Sequence, residues 1–287
     1  MKSKLFALAF GLTMSMSAAI AGPVQALPGG PIYLKFNGNE QLAVAPGATT
    51  WAADPSKKEI NWGVFTMTTM HPGAVEDPNS TIGQNGPAFF SDSVNSQVTG
   101  MFYGVQGLPA GTGGNPFPAT SGFIDLWWRD IDAGMSYTNN AVGGPGIRTA
   151  FDKATGYTEG TFLARIRFDS GINVDPSVFI NGSVFPNAAG TFSGVATSFG
   201  SIDLAAGGAW ATQLDTNYFN TDFGQRDLRF RNNYENKASW DGAPGSGIRG
   251  ARLDDPGQAF AIPEPGVLAL MGLAFLGMGA ARRRRNK

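Results

Sequence analysis

Short stretches of the chain alternate apolar and polar residues with a period of two. The clearest is Thr161–Phe168, in which Phe162 and Ile166 fall in one register and Arg165 in the other. The stretch Asp227–Arg231 alternates in the same way. A period of two places successive side chains on opposite faces of a β-strand. The pattern therefore predicts half-buried strands, with Phe162 and Ile166 turned toward a core and Arg165 toward water.

Other stretches are apolar on both faces or are interrupted by turn signals. Ile60–Thr69 carries Trp62 on one face and Phe65 on the other, which predicts a central strand. The pairs Asn37-Gly38 and Asn181-Gly182 each stand between apolar stretches. Asn-Gly is the strongest short-range signal for a two-residue hairpin turn. The sequence therefore predicts a tight hairpin at each pair.

The composition favours the same fold class, because the 287 residues include 40 glycines and 18 prolines. About ten short strands with turn signals between them predict an all-β domain. We expect an antiparallel β-sandwich, with a jelly roll as one form of it. The only helices expected are one in each terminal segment. A Gly/Pro/Asp-rich stretch over 241–261 predicts a spacer, which leaves 22–240 as the β-rich extracellular domain.

The C-terminal segment 262–287 has three parts in a fixed order. A Pro-Glu-Pro turn is followed by 16 uncharged, mostly apolar residues, Gly266–Ala281, and then by a basic cluster. As a helix, 16 residues span about 24 Å, which is short of a bilayer core of about 30 Å. Positive charge resists translocation, so the basic cluster is expected on the cytoplasmic side and everything before it outside. The turn is Pro263, Glu264 and Pro265, and the basic cluster is Arg282, Arg283, Arg284 and Arg285.

This arrangement resembles the PEP-CTERM sorting domain of Gram-negative bacteria. The resemblance covers only Ile262–Lys287 and rests on the Pro-Glu-Pro motif, the apolar helix and the arginine cluster. It implies recognition by exosortase, a membrane protease-transpeptidase, and a transient association with the inner membrane through the tail. It also implies a host that produces exopolysaccharide and forms biofilms or flocs.

The N-terminus carries a second export signal. Lys2 and Lys4 precede an apolar run, Leu5–Met16, and Ala19 and Ala21 supply the small residues that a signal peptidase reads. Cleavage before residue 22 is therefore predicted, so that 1–21 is a signal peptide. A second cleavage site after residue 26 stays open.

Processing at both ends changes the charge of the chain. The 21 basic and 22 acidic residues nearly balance. Seven basic residues and one acidic residue lie in the two terminal segments, so 14 basic and 21 acidic residues remain, a net charge of −7. A domain with this charge repels nucleic acid, which is therefore not an expected partner. The chain has no cysteine, so neither a disulfide nor a thiolate zinc site can stabilise it.

Few residues suggest catalysis or metal binding. The single histidine, His71, precedes a proline and is expected in an exposed loop. Asp130 and Asp132 stand at alternate positions before a glycine, which suggests either a calcium loop or turn capping. Calcium is the one cofactor considered, and no catalytic residue is predicted. A carboxylate-dependent hydrolase stays open as an alternative, with candidate acids at Asp125, Asp130, Asp132, Glu159 and Asp169.

Tryptophans are candidates for stacking on sugar rings. Trp127 and Trp128 are adjacent on a predicted strand, so their side chains must face opposite sides of the sheet. The sequence therefore predicts an exported cell-surface or extracellular-matrix protein that is not an enzyme and is linked to exopolysaccharide, biofilm or floc formation. A carbohydrate-binding module is the first alternative, and a secreted hydrolase the second.

Overall fold

The computed structural model describes residues 24–44, 59–77, 81–92, 96–109, 112–114, 117–130, 157–186 and 191–262. Strands dominate these residues, and the predicted all-β, antiparallel class is confirmed. A one-turn helix, α1, spans Ala211–Leu214. The strands are β1 (Gly30–Ala43), β2 (Asn61–Asp77), β3 (Thr81–Gln84), β4 (Phe90–Ser91), β5 (Ser96–Gly107), β6 (Phe117–Thr120), β7 (Phe123–Asp130), β8 (Thr161–Asp169), β9 (Ile180–Pro186), β10 (Phe192–Ile202), β11 (Phe219–Thr221), β12 (Gly224–Arg226), β13 (Leu228–Asn236) and β14 (Ile248–Ala261).

Eight strands form one closed antiparallel sheet. Each of these strands pairs with the next one along the chain, and the last pairs with the first, which closes the sheet. The eight strands are β1, β2, β5, β7, β8, β10, β13 and β14. Strands that are adjacent in the closed sheet are also consecutive among these eight along the chain. The connectivity is therefore that of a meander, and not the Greek-key connectivity of a jelly roll. Closure gives the sheet an inner and an outer face. Its walls pack over a shared core, as the two layers of a sandwich do.

Shorter strands complete one wall of the closed sheet. One edge of β10 is shared, because Phe199–Ile202 pairs with β8 and Phe192–Ser198 pairs with β9. β6 pairs with both β9 and β5. The wall between β5 and β10 is therefore built from two strand pairs, β7–β8 and β6–β9. β3 and β4 pair with β2 outside the closed ring.

One end of the closed sheet is plugged by the segment around α1. Trp210 is buried, its backbone N–H donates to the Leu163 carbonyl at 2.8 Å, and its indole Nε1 donates to the Gln25 carbonyl at 2.8 Å. The Gln213 side chain accepts from the backbone N–H of Leu27 at 3.0 Å. These bonds hold the N-terminal and α1 segments across the end at which β8 begins.

Neither Asn37-Gly38 nor Asn181-Gly182 forms a hairpin turn, so both of these turn predictions are wrong. Asn37 and Gly38 lie inside β1, where Gly38 pairs with Phe65 of β2 and with Leu253 of β14. A Cβ on Gly38 would stand 2.6 Å from the Phe65 Cβ. Asn181 and Gly182 likewise lie inside β9, between β6 and β10. The glycines therefore permit close packing inside strands.

The expected spacer over 241–261 is also corrected. Residues Ile248–Ala261 form β14, which pairs along its whole length with β1 and on its other edge with β13. The inward positions Ala251, Leu253 and Ala259 are buried in the core. The glycines and aspartates of this stretch obscured its period of two. The folded part thus extends beyond the boundary that composition placed at residue 240.

The alternation of β8 is confirmed except at its start. Ala164, Ile166 and Phe168 are buried in the core. A register shift against β7 pairs Phe162 directly with Trp127, on the outer face. Leu163 is then fully buried, although the pattern predicted it on the outward face. A single bulge therefore moves Phe162 from the inner face to the outer one.

Both predicted export segments lie outside the described residues. These are the signal peptide with Ala19 and Ala21, and the tail with Pro263, Glu264, Pro265 and Arg282–Arg285. Among the described residues, no helix is long and apolar enough to cross a membrane.

Candidate functional site

Three neighbouring strands place nine side chains in register on the outer side of the sheet, here termed the β5–β7–β8 face. Residues directly opposite each other in an antiparallel pair share a face. The nine side chains form three rows across the strands. The first row lies next to the turn between β6 and β7, and the third lies near the bulge of β8. The rows are Tyr103, Phe123 and Arg167; Met101, Asp125 and Arg165; and Thr99, Trp127 and Phe162.

The side of this face nearest β2 is covered. Trp62 and Trp240 are buried there, with ring centroids 5.9 Å apart. Gln41 fixes both, because its Oε1 accepts from the Trp62 indole at 3.1 Å and its Nε2 donates to the Trp240 carbonyl at 2.9 Å. Tyr157 is buried in the same cluster. These aromatic side chains thus cover the β5–β7–β8 face as far as β5, whereas the part of the face nearest β8 is partly exposed.

The centre of the face is an ion pair. Arg165 donates to both Asp125 oxygens, from Nε at 2.7 Å and from Nη2 at 2.8 Å. The Tyr103 hydroxyl donates to Asp125 Oδ2 at 3.1 Å. The Arg165 guanidinium also lies 5.5 Å from the centroid of Phe123, within the range of a cation–π contact. The hydrogen bond to Asp125 raises the pKa of Arg165.

Trp127 lies at the edge of this face. It is partly buried against the outer cluster, and its ring meets Phe162 edge to face at 5.7 Å between centroids. Trp128 points the other way, as the adjacency of the two residues predicts. It is 5% exposed in the core, against Phe90 and Trp210. Trp128 therefore has no face to offer a sugar, and of the two candidates Trp127 is retained.

His71 is not in an exposed loop, which corrects the prediction. It lies inside β2 and is 8% exposed. Its Nδ1 lies 3.1 Å from the Gly86 carbonyl oxygen and 3.2 Å from Gln84 Nε2, and its Nε2 lies 3.0 Å from Thr69 Oγ1. Both ring nitrogens are thus held by local contacts that fix the β3–β4 connection to β2.

The carboxylates considered for hydrolysis do not share one environment. Asp125 is held by Arg165, whereas Asp169 accepts from Ser201 Oγ at 3.0 Å and faces Arg226 at 3.5 Å. Glu159 is exposed. Asp125 and Asp169 are thus held by different arginines.

The calcium candidates have side chains outside the described residues. Asp130 ends β7, but its side chain and all of Asp132 lie outside what the structure describes. Among the residues that are described, carboxylate and histidine side chains do not gather in groups of three that could hold a metal ion.

Sequence reasoning missed the Tyr103–Asp125–Arg165 cluster and the Trp127–Phe162 pair. Asp125 and Arg165 are 40 residues apart, and only the register of β7 against β8 brings them opposite each other. The outward position of Arg165 in the alternating stretch was the available signal. The bulge that brings Phe162 to Trp127 left no such signal.

Comparison with known proteins adds information on the tail. The PEP-CTERM protein-sorting motif matches residues 261–285, which confirms the resemblance described for the C-terminal segment. The motif implies exosortase processing, export, and a surface or extracellular location. No curated protein and no solved structure matches the chain.

Proposed function

We propose that this chain, sorted through its PEP-CTERM motif, is a non-enzymatic protein of the extracellular matrix that takes part in exopolysaccharide, biofilm or floc formation. The sorting motif at 261–285 carries the proposal. The net charge of −7 after removal of both terminal segments supports it, because an acidic domain stays soluble and avoids anionic membrane surfaces. The tail holds the chain at the inner membrane only until exosortase acts.

The test is fractionation of the host with and without exosortase, followed by mass mapping of the protein. We expect the protein outside the cell, without Arg282–Arg285, in the wild-type strain, and a membrane-bound full-length chain in the mutant. Deleting this protein should reduce floc or biofilm mass. Finding the full-length chain equally in both strains would exclude the processing, and unchanged flocs would exclude the matrix role.

Direct sugar binding through Trp127 is a second candidate. The partly exposed Trp127 and Phe162 rings lie one row from Arg165, and the exposed Arg167 follows in the row beyond it on the same face. Arginine side chains can hydrogen-bond to sugar hydroxyls or carboxylates. Trp127→Ala should weaken binding to the host's purified exopolysaccharide about 2- to 10-fold. Phe185→Ala, at an exposed site on β9, is the control and should bind normally. Equal binding by both variants would exclude this face.

Calcium at Asp130 and Asp132 remains part of the proposal. If the two carboxylates bind calcium, millimolar Ca²⁺ should raise the melting temperature of the wild type but not of the double variant Asp130→Asn/Asp132→Asn. The same shift in both proteins would assign the effect elsewhere.

A further inference from the structure

The closed sheet encloses a cavity of about 70 Å³. All eight strands of the ring contribute to its wall, which is mostly apolar. Phe36, Phe65 and Phe230 form part of the lining, with the Phe36 and Phe65 rings 5.2 Å apart. Leu27, Leu214 and Trp210 line the plugged end. A cavity this large in a close-packed interior leaves room for a small guest.

Polar side chains interrupt the apolar wall, and two of them are incompletely bonded. Asn61 Nδ2 donates to Glu40 Oε2 at 3.1 Å. Within the described part of the chain, Asn61 Oδ1 and Asn232 Oδ1 are buried and accept no hydrogen bond. Both residues line the cavity, as does Glu40. The cavity thus offers two acceptors that lack donors.

Glu40 lies beside Asn61, where its ionised form is a third acceptor and its neutral form carries an O–H of its own. It is 4% exposed, and burial raises its pKa to about 7 from an ordinary value of 4.5, while the Asn61 hydrogen bond acts in the opposite direction. Tyr234 lines the same cavity, but its hydroxyl already donates to the Ser183 carbonyl at 2.7 Å. Ser198 also lines the cavity, and neither its hydroxyl nor that of Tyr234 donates to the two amide oxygens.

The size of the cavity limits the guest. An apolar cavity of about 150 Å³ holds benzene, so about 70 Å³ suits roughly three to five non-hydrogen atoms. Water needs two to four polar partners at one place, whereas most of this wall is apolar. A guest must therefore combine a small apolar body with one hydrogen-bond donor.

We propose that the closed sheet binds a short-chain alcohol, whose hydroxyl donates to Asn61 Oδ1 or Asn232 Oδ1 and whose alkyl body packs against Phe36, Phe65 and Phe230. A carboxylate of the same length is excluded, because it would place a negative charge beside Glu40 and the two amide oxygens. An ether of the same size lacks the donor. The ligand class is thus defined by one hydroxyl and by length.

The test uses the full-length protein with ¹³C-labelled methionine methyls. Met67 lines the cavity, and Met101 lies on the outer face as an internal control. Titration with 1-butanol should shift the methyl resonance of Met67 until it saturates, and it should leave the methyl resonance of Met101 unchanged. From methanol to 1-butanol the affinity should rise about fourfold per methylene, and it should stop rising at longer chains because the cavity is full.

Isomers and variants test the hydrogen bond. Diethyl ether, an isomer of 1-butanol, should bind about 3- to 10-fold more weakly, and butyrate at pH 8 should not bind. Asn61→Leu or Asn232→Leu should remove the preference for 1-butanol over the ether, which locates the hydroxyl. Equal affinities for the two isomers in the wild type, or a Met67 shift that follows Met101 without saturation, would overturn the proposal and leave water as the occupant.

Discussion

Two carboxylates of equal burial, Glu40 and Asp125, lie on opposite sides of the closed sheet. Each is 4% exposed. On the outer face, Asp125 accepts two hydrogen bonds from Arg165 and one from Tyr103. On the inner face, Glu40 accepts one hydrogen bond, from the Asn61 amide. The two groups therefore differ in their partners rather than in their burial.

This difference separates a structural polar cluster from one that is open to a guest. Asp125 has a cation and a hydroxyl at bonding distance, so its charge is compensated and ties β7 to β8 and β5. Glu40 has an amide and apolar rings around it, and burial therefore favours its neutral form. Buried groups whose partners are missing are the ones that can gain from a ligand. The inner cluster is thus the better candidate for binding, and the outer one for stability.

The largest effect is expected from breaking the outer pair. Arg165→Met keeps most of the apolar contact with Phe123 but leaves Asp125 buried without its cation. We expect the free energy of unfolding to fall by about 3 kcal/mol, measured by urea denaturation. Arg167→Met is the matched control, because its nitrogen lies 3.7 Å from Asp169 at an exposed position. Arg167→Met should lower the free energy of unfolding by less than about 1 kcal/mol.

A double variant sharpens this result. Asp125→Leu with Arg165→Met removes both charges, so no buried carboxylate is left unpaired. It should be more stable than Arg165→Met alone. Equal losses in the single and double variants would mean that Arg165 acts through packing and not through its charge.

The inner carboxylate should respond to pH in the opposite sense to a carboxylate held by a cation. Between pH 4.5 and about 7 the folded protein keeps the Glu40 proton and the unfolded chain releases it, so this group makes stability fall as pH rises through that window. Glu40→Gln keeps a neutral side chain at every pH. The free energy of unfolding of this variant should match that of the wild type at pH 4 and exceed it by about 3 kcal/mol at pH 8. Urea unfolding at both pH values measures the difference.

Other buried acids also affect the pH profile, but they cancel in this comparison. Burial raises the pKa of Asp92 and of Asp227, and both residues are present in the wild type and in the Glu40→Gln variant. The difference between the two proteins therefore reports Glu40. A difference that stays constant from pH 4 to pH 8 would show that Glu40 ionises normally in the folded state.

The sequence predicted neither cluster, but it predicted part of the strand pattern around the outer one. Strand positions and the inward face of β8 follow from the period of two, because alternation is a local property of the chain. The Asn-Gly pairs misled, because a glycine that permits hairpin turns also permits close contact inside a strand, as Gly38 does against Phe65. Register is a long-range property, and the pairing of Asp125 with Arg165 depends on it.

The inner cluster was harder to foresee for a different reason. Glu40 follows an Asn-Gly pair that predicted a hairpin turn, whereas it lies inside one long strand, β1. Closure of the sheet, through pairing of β14 with β1 and of β2 with β5, is what encloses it. A composition-based spacer at 241–261 hid the strand that makes this closure. The cavity therefore emerges only from topology.

The smallest effect is expected from the inner amide that lacks a donor. Asn232→Leu replaces an amide by an apolar side chain of similar size, so a buried oxygen without a partner is removed. We expect the free energy of unfolding to rise by about 1–2 kcal/mol in the absence of alcohol. Arg231→Leu, the exposed outward neighbour, should change it by less than about 0.5 kcal/mol. A loss of stability in Asn232→Leu would mean that this oxygen already has a donor in solution, and the contrast with the satisfied outer cluster would then fail.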